Sequence, residues 1–339
     1  MTRTLFTWMV LWMLAPGAAV AGPITTLYVL GDSLSDQGNA ALLTGGTFPP
    51  PPYAQRATNG PVAVERLAAA LGVALTPSEA GGTNYAVVGA TTGPVTIAGT
   101  SPAVQTENLS AVLYGLPALA GTSLQSQALA LLEAGPIMDP AGSLFFVWGG
   151  ANDFFLNPSA ETAAAGVNNV LGVLTTLYAG GARNFLVPNL PDLSMTPSGL
   201  ALTDAQRAGL QALTLGFNGG LGAALNSASA LPGMNITMFD TFGFFNNILV
   251  NPGAFGFTNT TSACLTGNLG LGGTVCSDPS AYVFWDSVHP TTAAHGALGD
   301  ALAAQVVPEP SVLTLLVVSA GVGCLVRRRR RGCADDRAA

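Results

Sequence analysis

Five short apolar runs recur along the chain, and the segments between them have a helical spacing. The runs cover residues 24–30, 83–88, 143–149, 183–187 and 235–240. Their length and nearly continuous apolar character are typical of strands that are buried on both faces. Because strands that alternate with helices form a parallel sheet covered on both sides, the pattern predicts an α/β fold.

The helical spacing is clearest in two of the intervening segments. In the first, apolar residues recur at positions 167, 171, 174 and 178, and Gly180 and Gly181 then end the predicted helix. In the second, they recur at positions 210, 213, 217 and 221, and Thr203 or Asp204 is available as the N-cap.

Three irregular stretches interrupt this alternation, at residues 41–60, 91–120 and 241–284. They are rich in Gly, Pro, Thr and Asn, so we expect them to form the walls of a site. Ligands of open parallel sheets bind beyond the carboxyl ends of the strands. The first three predicted strands are each followed by a candidate site residue: Ser33, Gly89 and Asn152.

The composition excludes one class of partner. Apolar residues make up 49% of the 339 residues and charged residues only 9%, and there is no lysine. Between residues 22 and 306 we count 15 acidic residues against 4 arginines. This acidic body has no basic stripe that could neutralise phosphates, so we expect no nucleic-acid partner.

The first 21 residues have the pattern of a secretory signal peptide. Arg3 precedes an apolar core at 5–14, and Ala19 and Ala21 supply the small residues before a cleavage site. An N-terminal membrane anchor is the alternative, which the short apolar core disfavours. We therefore expect an exported protein whose main domain covers residues 22–306.

Residues 307–339 have the pattern of a sorting tail. Pro308-Glu309-Pro310 precedes an apolar segment at 311–326, and five arginines follow at 327–331. Since arginines beside an apolar segment stay on the cytoplasmic side, the body of the protein would lie outside. A buried core helix is the alternative, but such a helix does not usually end in five arginines.

This order of features resembles the PEP-CTERM sorting signal of exported proteins of Gram-negative bacteria. The resemblance implies transient anchoring in the inner membrane and processing by an exosortase-like sorting transpeptidase at Pro308-Glu309-Pro310. It also implies a location in the periplasm, at the cell surface or in the extracellular matrix.

Cys264 and Cys276 lie in one loop-like region. In an oxidising compartment these two cysteines can pair, and closing so short a loop would contribute about 3 kcal/mol in the chain-entropy model. Two buried free thiols are the alternative.

Ser33 stands in the stretch Leu-Gly-Asp-Ser-Leu-Ser-Asp, directly after the first predicted strand. It can be a helix cap or a nucleophile, and a nucleophile needs a base that works near neutral pH. The chain has two histidines, and Asp286 precedes one of them, His289, by three residues. On one helical turn this carboxylate would reach the imidazole. A capped turn with a surface histidine explains the pair equally well. We assign the other, His295, to helix surface or packing.

A serine nucleophile also needs hydrogen-bond donors for the charged tetrahedral intermediate. The candidates are the Asn152 amide, the Gly89 N–H, where a bare backbone allows close approach, and the N–H of Ser33 itself. Each of these residues also fits a plain turn or helix cap. The sequence has no cluster with metal-ligand spacing and no Gly-rich phosphate loop, so we expect neither a metal nor another cofactor.

Taken in order, these motifs resemble those of the SGNH/GDSL hydrolase family. Gly-Asp-Ser-Leu at 31–34, Gly89, Gly-x-Asn-Asp at 150–153 and Asp-x-x-His at 286–289 follow one another as in that family. The stretch GDSLSDQGN is similar to the GDSL lipase/esterase branch in particular, and the resemblance spans about residues 25–303.

The resemblance implies a three-layer α/β/α, flavodoxin-like sandwich with about five parallel strands, and it implies a role for each site residue. Ser33 would be the nucleophile, His289 the general base and acid, and Asp286 the residue that orients His289. The Ser33 N–H, the Gly89 N–H and the Asn152 side chain would form the oxyanion hole.

Three aspartates adjoin these motifs and are interpreted as caps or braces of the loops: Asp32, Asp36 and Asp153. Two positions depart from the family pattern. Val88 stands where a small residue usually precedes the glycine, which would narrow the oxyanion side of the pocket or shift Gly89. Gln55 replaces a common glycine before Arg56.

We therefore expect a secreted serine ester hydrolase that acts on a lipid or other acyl ester through an acyl-enzyme. One alternative is a carbohydrate O-deacetylase of the same fold that acts on exopolysaccharide and releases acetate. The other is a non-catalytic surface or matrix protein that binds glycan, which would show no turnover that depends on Ser33.

Overall fold

A four-stranded parallel sheet forms the centre of the fold in the computed structural model, which describes residues 23–306. The strands of the described chain are β1 (Thr26–Gly31), β2 (Ala90–Thr96), β3 (Gln105–Asn108), β4 (Ser143–Trp148), β5 (Asn184–Pro188), β6 (Asn235–Phe239), β7 (Asn259–Ala263), β8 (Leu265–Asn268), β9 (Gly272–Val275) and β10 (Tyr282–Phe284). The central sheet has the order β1-β4-β5-β6, and its register places Val29 beside Phe146 and Phe146 beside Leu186. The remaining strands form two-stranded sheets around it: β2 with β3, β7 with β10, and β8 with β9.

Helices cover both faces of the central sheet. They are α1 (Asn39–Leu43), α2 (Ala63–Leu71), α3 (Leu109–Leu113), α4 (Leu124–Glu133), α5 (Ala151–Leu156), α6 (Ala160–Ala179), α7 (Pro197–Leu200), α8 (Asp204–Ala228), α9 (Thr241–Val250) and α10 (Thr292–Val306). Two of them confirm the predicted helices. Helix α6 ends at the predicted Gly180, and the Thr203 side chain caps α8 by accepting the N–H of Gln206.

Side chains from alternate positions of the strands fill two separate cores. On one face, Phe145, Val147 and Phe185 pack against α4, α6 and α8. On the other face, Val29 and Phe146 pack against α2, α9 and α10. Because both faces are covered, the strands are apolar at successive positions instead of alternating with polar residues. The predicted three-layer α/β/α architecture is confirmed.

The segment 83–88 differs from its prediction, because it is not a regular strand. It runs beside β1 as an extended edge, with the Tyr85 N–H 2.7 Å from the Val29 carbonyl and the Val29 N–H 3.0 Å from the Thr83 carbonyl. On its outer side, the carbonyls of residues 84 and 86 accept hydrogen bonds from the Asn39 side chain, and backbone pairing is limited to an isolated bridge between Asn84 and Pro77. Counted as the second element, this edge gives the order 2-1-3-4-5 of flavodoxin-like sheets.

Both ends of the chain lie outside the described residues. The predicted signal peptide at 1–21 and the PEP-CTERM-like tail at 307–339, with its apolar segment at 311–326, therefore stay predictions. Among the helices between residues 23 and 306, none combines the length and the apolar character needed to cross a bilayer.

Candidate active site

Ser33 lies in the turn that follows β1, at the carboxyl edge of the sheet. The N–H groups of Ser35 and Asp36 both donate to the Asp32 carbonyl at 3.0 Å, which makes the turn tight. The buried Asp36 carboxylate then accepts four backbone N–H groups at 2.7 to 3.0 Å: those of Gly38, Asn39, Ala40 and Val88. This carboxylate therefore ties the turn to the segment that carries Gly89.

A second residue pair meets Ser33 from the far end of the chain. His289 Nε2 lies 2.9 Å from Ser33 Oγ, and His289 Nδ1 lies 2.7 Å from Asp286 Oδ2 and 2.9 Å from Oδ1. Oδ1 also accepts the backbone N–H of Val288 at 2.9 Å and that of His289 at 2.8 Å. These distances are within the hydrogen-bonding reach that a Ser-His-Asp arrangement requires.

The local conformation of this pair differs from the predicted helical turn. Residues 285–288 form a bend between β10 and α10. The Trp285 N–H donates to the His289 carbonyl at 2.7 Å, and Phe284 pairs with Pro290 in an isolated antiparallel β-bridge. The loop therefore closes on itself, and this closure, rather than a helix, places Asp286 and His289 side by side.

For each of the two partners, burial and the neighbouring charge shift the pKa in opposite directions. Burial alone would lower the pKa of His289, but the Asp286 carboxylate outweighs it and raises that pKa above its ordinary value. Burial would likewise raise the pKa of Asp286, but the imidazole and the backbone N–H groups hold that pKa below its usual range. The pair therefore combines an acidic carboxyl group with an imidazole that is more basic than a free one.

Gly89 and Asn152 line the same cavity as Ser33. The φ angle of Gly89 is +83°, and a Cβ there would lie 2.5 Å from Ser110 Oγ, so only glycine fits. Asn152 Nδ2 donates to the Ala90 carbonyl at 2.8 Å, which orients the amide and leaves its second N–H free. Within the described chain, no hydrogen bond uses the backbone N–H of Ser33 or Gly89. All three donors are available to a ligand.

The cavity has a volume of about 310 Å³, and Ser33, Asn152 and His289 are among its polar lining residues. Apolar side chains dominate the rest of the lining: Leu34, Val88, Leu109, Leu113, Tyr114, Phe155, Leu193, Met195, Phe245, Leu249, Leu269 and Phe284. An apolar pocket with a few convergent polar groups is typical of a small-molecule site.

Two of the three irregular stretches predicted as site walls do line this cavity. Residues 91–120 contribute α3, and residues 241–284 contribute α9 and the β8–β9 hairpin. A disulfide between Cys264 and Cys276, with a Cα–Cα distance of 4.9 Å, closes this hairpin. Residues 41–60 contribute no lining residue. The loop after β5, residues 191–198, forms a further wall that the sequence pattern did not indicate.

The three aspartates beside the motifs brace loops, as interpreted from the sequence. Burial raises the pKa of Asp32 and of Asp36 to about 6, and that of Asp153 to about 7, although backbone N–H groups partly offset the effect. Asp153 accepts the backbone N–H and the hydroxyl of Thr92, which fixes the start of β2. Between residues 23 and 306, no group of three or more His, Cys, Asp or Glu side chains could hold a metal ion.

Two polar residues at the site were not identified from the sequence. Tyr53 donates its hydroxyl hydrogen to Asp286 Oδ2 at 2.7 Å. The Gln127 side chain accepts the Gly31 N–H and donates to the Gly31 carbonyl, each at 2.8 Å, just before the turn that carries Ser33. Both contacts join residues far apart in sequence, so no local motif signals them. The second histidine, His295, is buried, and its Nδ1 accepts the Ala63 N–H at 3.3 Å, which agrees with packing.

The fold and the site together define an α/β protein with a Ser-His-Asp arrangement at the carboxyl edge of a parallel sheet. A family model described as GDSL-like Lipase/Acylhydrolase matches residues 27–302, which is most of the chain. The protein therefore belongs to the GDSL-like lipase/acylhydrolase family.

The sequence identity between this chain and individual relatives is low. The chain is 30% identical over 286 residues to the thermolabile hemolysin of Vibrio parahaemolyticus. This alignment covers 80% of this chain and 61% of that protein. It is 26% identical over 344 residues to a GDSL esterase/lipase of Arabidopsis thaliana, covering 82% and 86% of the two chains. The phospholipase A1 structure from Streptomyces albidoflavus aligns over 82% of this chain and 96% of its own, with 17% identity and a TM-score of 0.33.

The chain spans only part of several relatives. It covers 61%, 51% and 41% of the lengths of three of them.

Proposed function

We propose that this protein is a serine ester hydrolase that cleaves carboxylic esters through an acyl-enzyme. The observation that carries the proposal is the unbroken chain of contacts from Ser33 Oγ to His289 Nε2 at 2.9 Å and from His289 Nδ1 to Asp286 Oδ2 at 2.7 Å. Membership of the lipase/acylhydrolase family supports the same reaction class.

In the proposed reaction, Ser33 Oγ attacks the ester carbonyl carbon while its proton passes to His289 Nε2. Asp286 holds the imidazole and stabilises the imidazolium that forms. The N–H groups of Ser33 and Gly89 and the Asn152 amide donate hydrogen bonds that stabilise the negative charge on the carbonyl oxygen. The C–O bond to the alcohol then breaks, and the alcohol leaves with the proton from His289.

Deacylation repeats these steps with water as the nucleophile. His289 takes a proton from the water, the hydroxide attacks the acyl carbon, and the bond to Ser33 Oγ breaks as His289 returns a proton to it. The acid is released and the resting enzyme is restored.

The lining of the cavity supports an apolar acyl group as the substrate class. Leucine, valine, phenylalanine and methionine side chains surround the space beyond Ser33, and burying CH₂ groups there contributes about 0.8 kcal/mol each. We therefore propose acyl chains longer than acetyl. The product distinguishes this enzyme from an O-deacetylase, which would release only acetate from a glycan.

The test is a series of p-nitrophenyl esters from acetate to octanoate, hydrolysed by the protein and by two serine variants. We expect kcat/KM to rise with chain length, Ser33→Ala to lose nearly all turnover, and Ser35→Ala to keep it. Ser35 is a matched control because it lies two residues away and, among residues 23–306, its buried hydroxyl has no hydrogen-bond partner. A preference for acetate would favour the deacetylase, and glycan binding without Ser33-dependent turnover would favour the non-catalytic alternative.

We also propose that the protein is exported, then held transiently in the inner membrane of a Gram-negative bacterium and released by a sorting transpeptidase. The signal-like residues 1–21 and the Pro308-Glu309-Pro310 tail support this route, and a disulfide between Cys264 and Cys276 suits an oxidising compartment. Fractionation of the producing cells tests it. Mature protein that begins at Gly22 and lies outside the cytoplasm is expected, and full-length protein in the cytoplasm would contradict export.

A further inference from the structure

Tyr53 makes a direct contact with the carboxylate of the proposed triad. Its hydroxyl donates to Asp286 Oδ2 at 2.7 Å, across 233 residues of sequence. The residue is buried, with 5% of its surface exposed, and its side chain is not part of the cavity lining. Tyr53 therefore contacts Asp286 from outside the cavity that a substrate would occupy.

The surroundings of Tyr53 hold its ring in place. The ring packs edge to face against Trp285, with 6.1 Å between the ring centroids. Trp285 directly precedes Asp286, so the phenol and the carboxylate are held by neighbouring parts of one cluster. The Tyr53 N–H also donates to the Pro50 carbonyl at 3.1 Å, and Phe48 and Leu265 belong to the same cluster.

We propose that Tyr53 is a positioning residue that fixes the Asp286 carboxylate for its contact with His289. Oδ1 accepts the backbone N–H groups of Val288 and His289, while Oδ2 accepts the Tyr53 hydroxyl and contacts His289 Nδ1. The hydroxyl thus completes the set of donors around the carboxylate and restrains its rotation. This inference rests on the proposed function.

The same hydrogen bond affects the basicity of His289. A donor on Oδ2 draws negative charge from the oxygen that faces the imidazole, so removing the donor concentrates charge there and favours the imidazolium. Three other titratable groups face this pair and are unchanged by the substitution. Asp32 raises the pKa of His289, while Tyr114 is near Asp286 and His295 is near His289.

The first measurement compares Tyr53→Phe with Tyr114→Phe. Phenylalanine keeps the ring that packs on Trp285 and removes only the hydroxyl. We expect kcat of Tyr53→Phe to fall roughly tenfold, as for the loss of one hydrogen bond to a charged group, with KM unchanged. Tyr114 lines the cavity, and it is Tyr53 rather than Tyr114 that donates to Asp286, so Tyr114→Phe is expected to change KM more than kcat. Unchanged kcat in Tyr53→Phe would overturn the inference.

The second measurement reads His289 directly, without substrate. The chain has two histidines, and burial lowers the pKa of His295 to about 3, so an imidazole signal that titrates above that range belongs to His289. NMR titration of ¹⁵N-histidine-labelled protein should give a higher His289 pKa in Tyr53→Phe, by roughly half a unit. An identical titration in both proteins would overturn the inference. Failure of the proposed function is seen separately, as turnover that survives Ser33→Ala.

Discussion

The turn after β1 and the bend after β10 both carry buried aspartates, but these carboxylates have different partners. Asp36, in the first turn, accepts hydrogen bonds from four backbone N–H groups and, in the part of the chain that the structure describes, from no titratable side chain. Asp286, in the bend, accepts two backbone N–H groups, the Tyr53 hydroxyl and the imidazole of His289. The two regions meet at the hydrogen bond between Ser33 and His289.

The comparison of Asp36 with Asp286 shows which hydrogen-bond partners lower the pKa of a buried carboxyl group most. Burial raises the pKa of Asp36 to about 6 despite its four backbone donors, whereas the pKa of Asp286 is held below its usual range beside an imidazole. Neutral N–H donors therefore offset desolvation only in part, while a group that can become a cation more than offsets it. The first carboxylate holds the backbone around Ser33, and the second is prepared to stabilise charge on His289.

The largest expected effect comes from removing the charge in the bend. Asp286→Asn keeps the shape of the side chain but presents an amide that cannot stabilise the imidazolium and favours the wrong tautomer. We expect kcat to fall by about 10⁴-fold, measured with the best p-nitrophenyl ester. Asp278→Asn is a suitable control, since Asp278 is an exposed cap within the same region of chain. A loss of less than tenfold would show that the two carboxylates do not differ in the way described.

The next effect is on the free energy of unfolding, and it comes from Asp36 in the turn after β1. Asp36 has a folded-state pKa of about 6, above its ordinary 3.8. Its protonated form therefore contributes stability that is present below about pH 4 and is lost as pH rises through about 6, by up to about 3 kcal/mol. Asp36→Asn cannot ionise, and it also loses an acceptor for the turn.

We expect the stability advantage of the wild type over Asp36→Asn to be largest at pH 5 and to shrink toward pH 8. Urea unfolding of both proteins at four pH values between 5 and 8 measures this difference, and the comparison cancels the contributions of Asp32, Asp153 and Asp286. A difference that is constant with pH, or that grows as pH rises, would contradict the raised pKa of Asp36.

The smallest expected effect is that of Asp32, in the turn after β1, on the pKa of His289, which follows the bend after β10. The Asp32 carboxylate contributes to the raised pKa of His289, and its Oδ1 accepts the Leu34 N–H at 3.0 Å. Asparagine at position 32 can keep that hydrogen bond while removing the charge. Asp32→Asn should lower the pKa of His289 and move the acidic limb of the kcat/KM profile to lower pH, by less than one unit. This direction is opposite to that expected for Tyr53→Phe, and a shift to higher pH would exclude the charge interaction.

Local pattern predicted the layers of the fold because burial on both sheet faces leaves a continuous apolar run. The pattern did not predict the irregular edge at 83–88, where an isolated backbone bridge to Pro77 and the side chain of Asn39, 45 residues away from Asn84, occupy the outer side. The candidate site residues were found because each lies in a short motif at a strand end. Tyr53 and Gln127 were missed because their contacts span 233 and 96 residues and leave no local pattern.

Covalent labelling shows directly whether Ser33 is the nucleophile. The protein would be treated with a p-nitrophenyl alkylphosphonate, a serine-reactive ester analogue, and the adduct mapped by peptide mass spectrometry. We predict one adduct on Ser33, formed with release of p-nitrophenol, absent in Ser33→Ala and present in Ser35→Ala. An adduct on another residue, or none in the folded wild-type protein, would rule out Ser33 as the nucleophile.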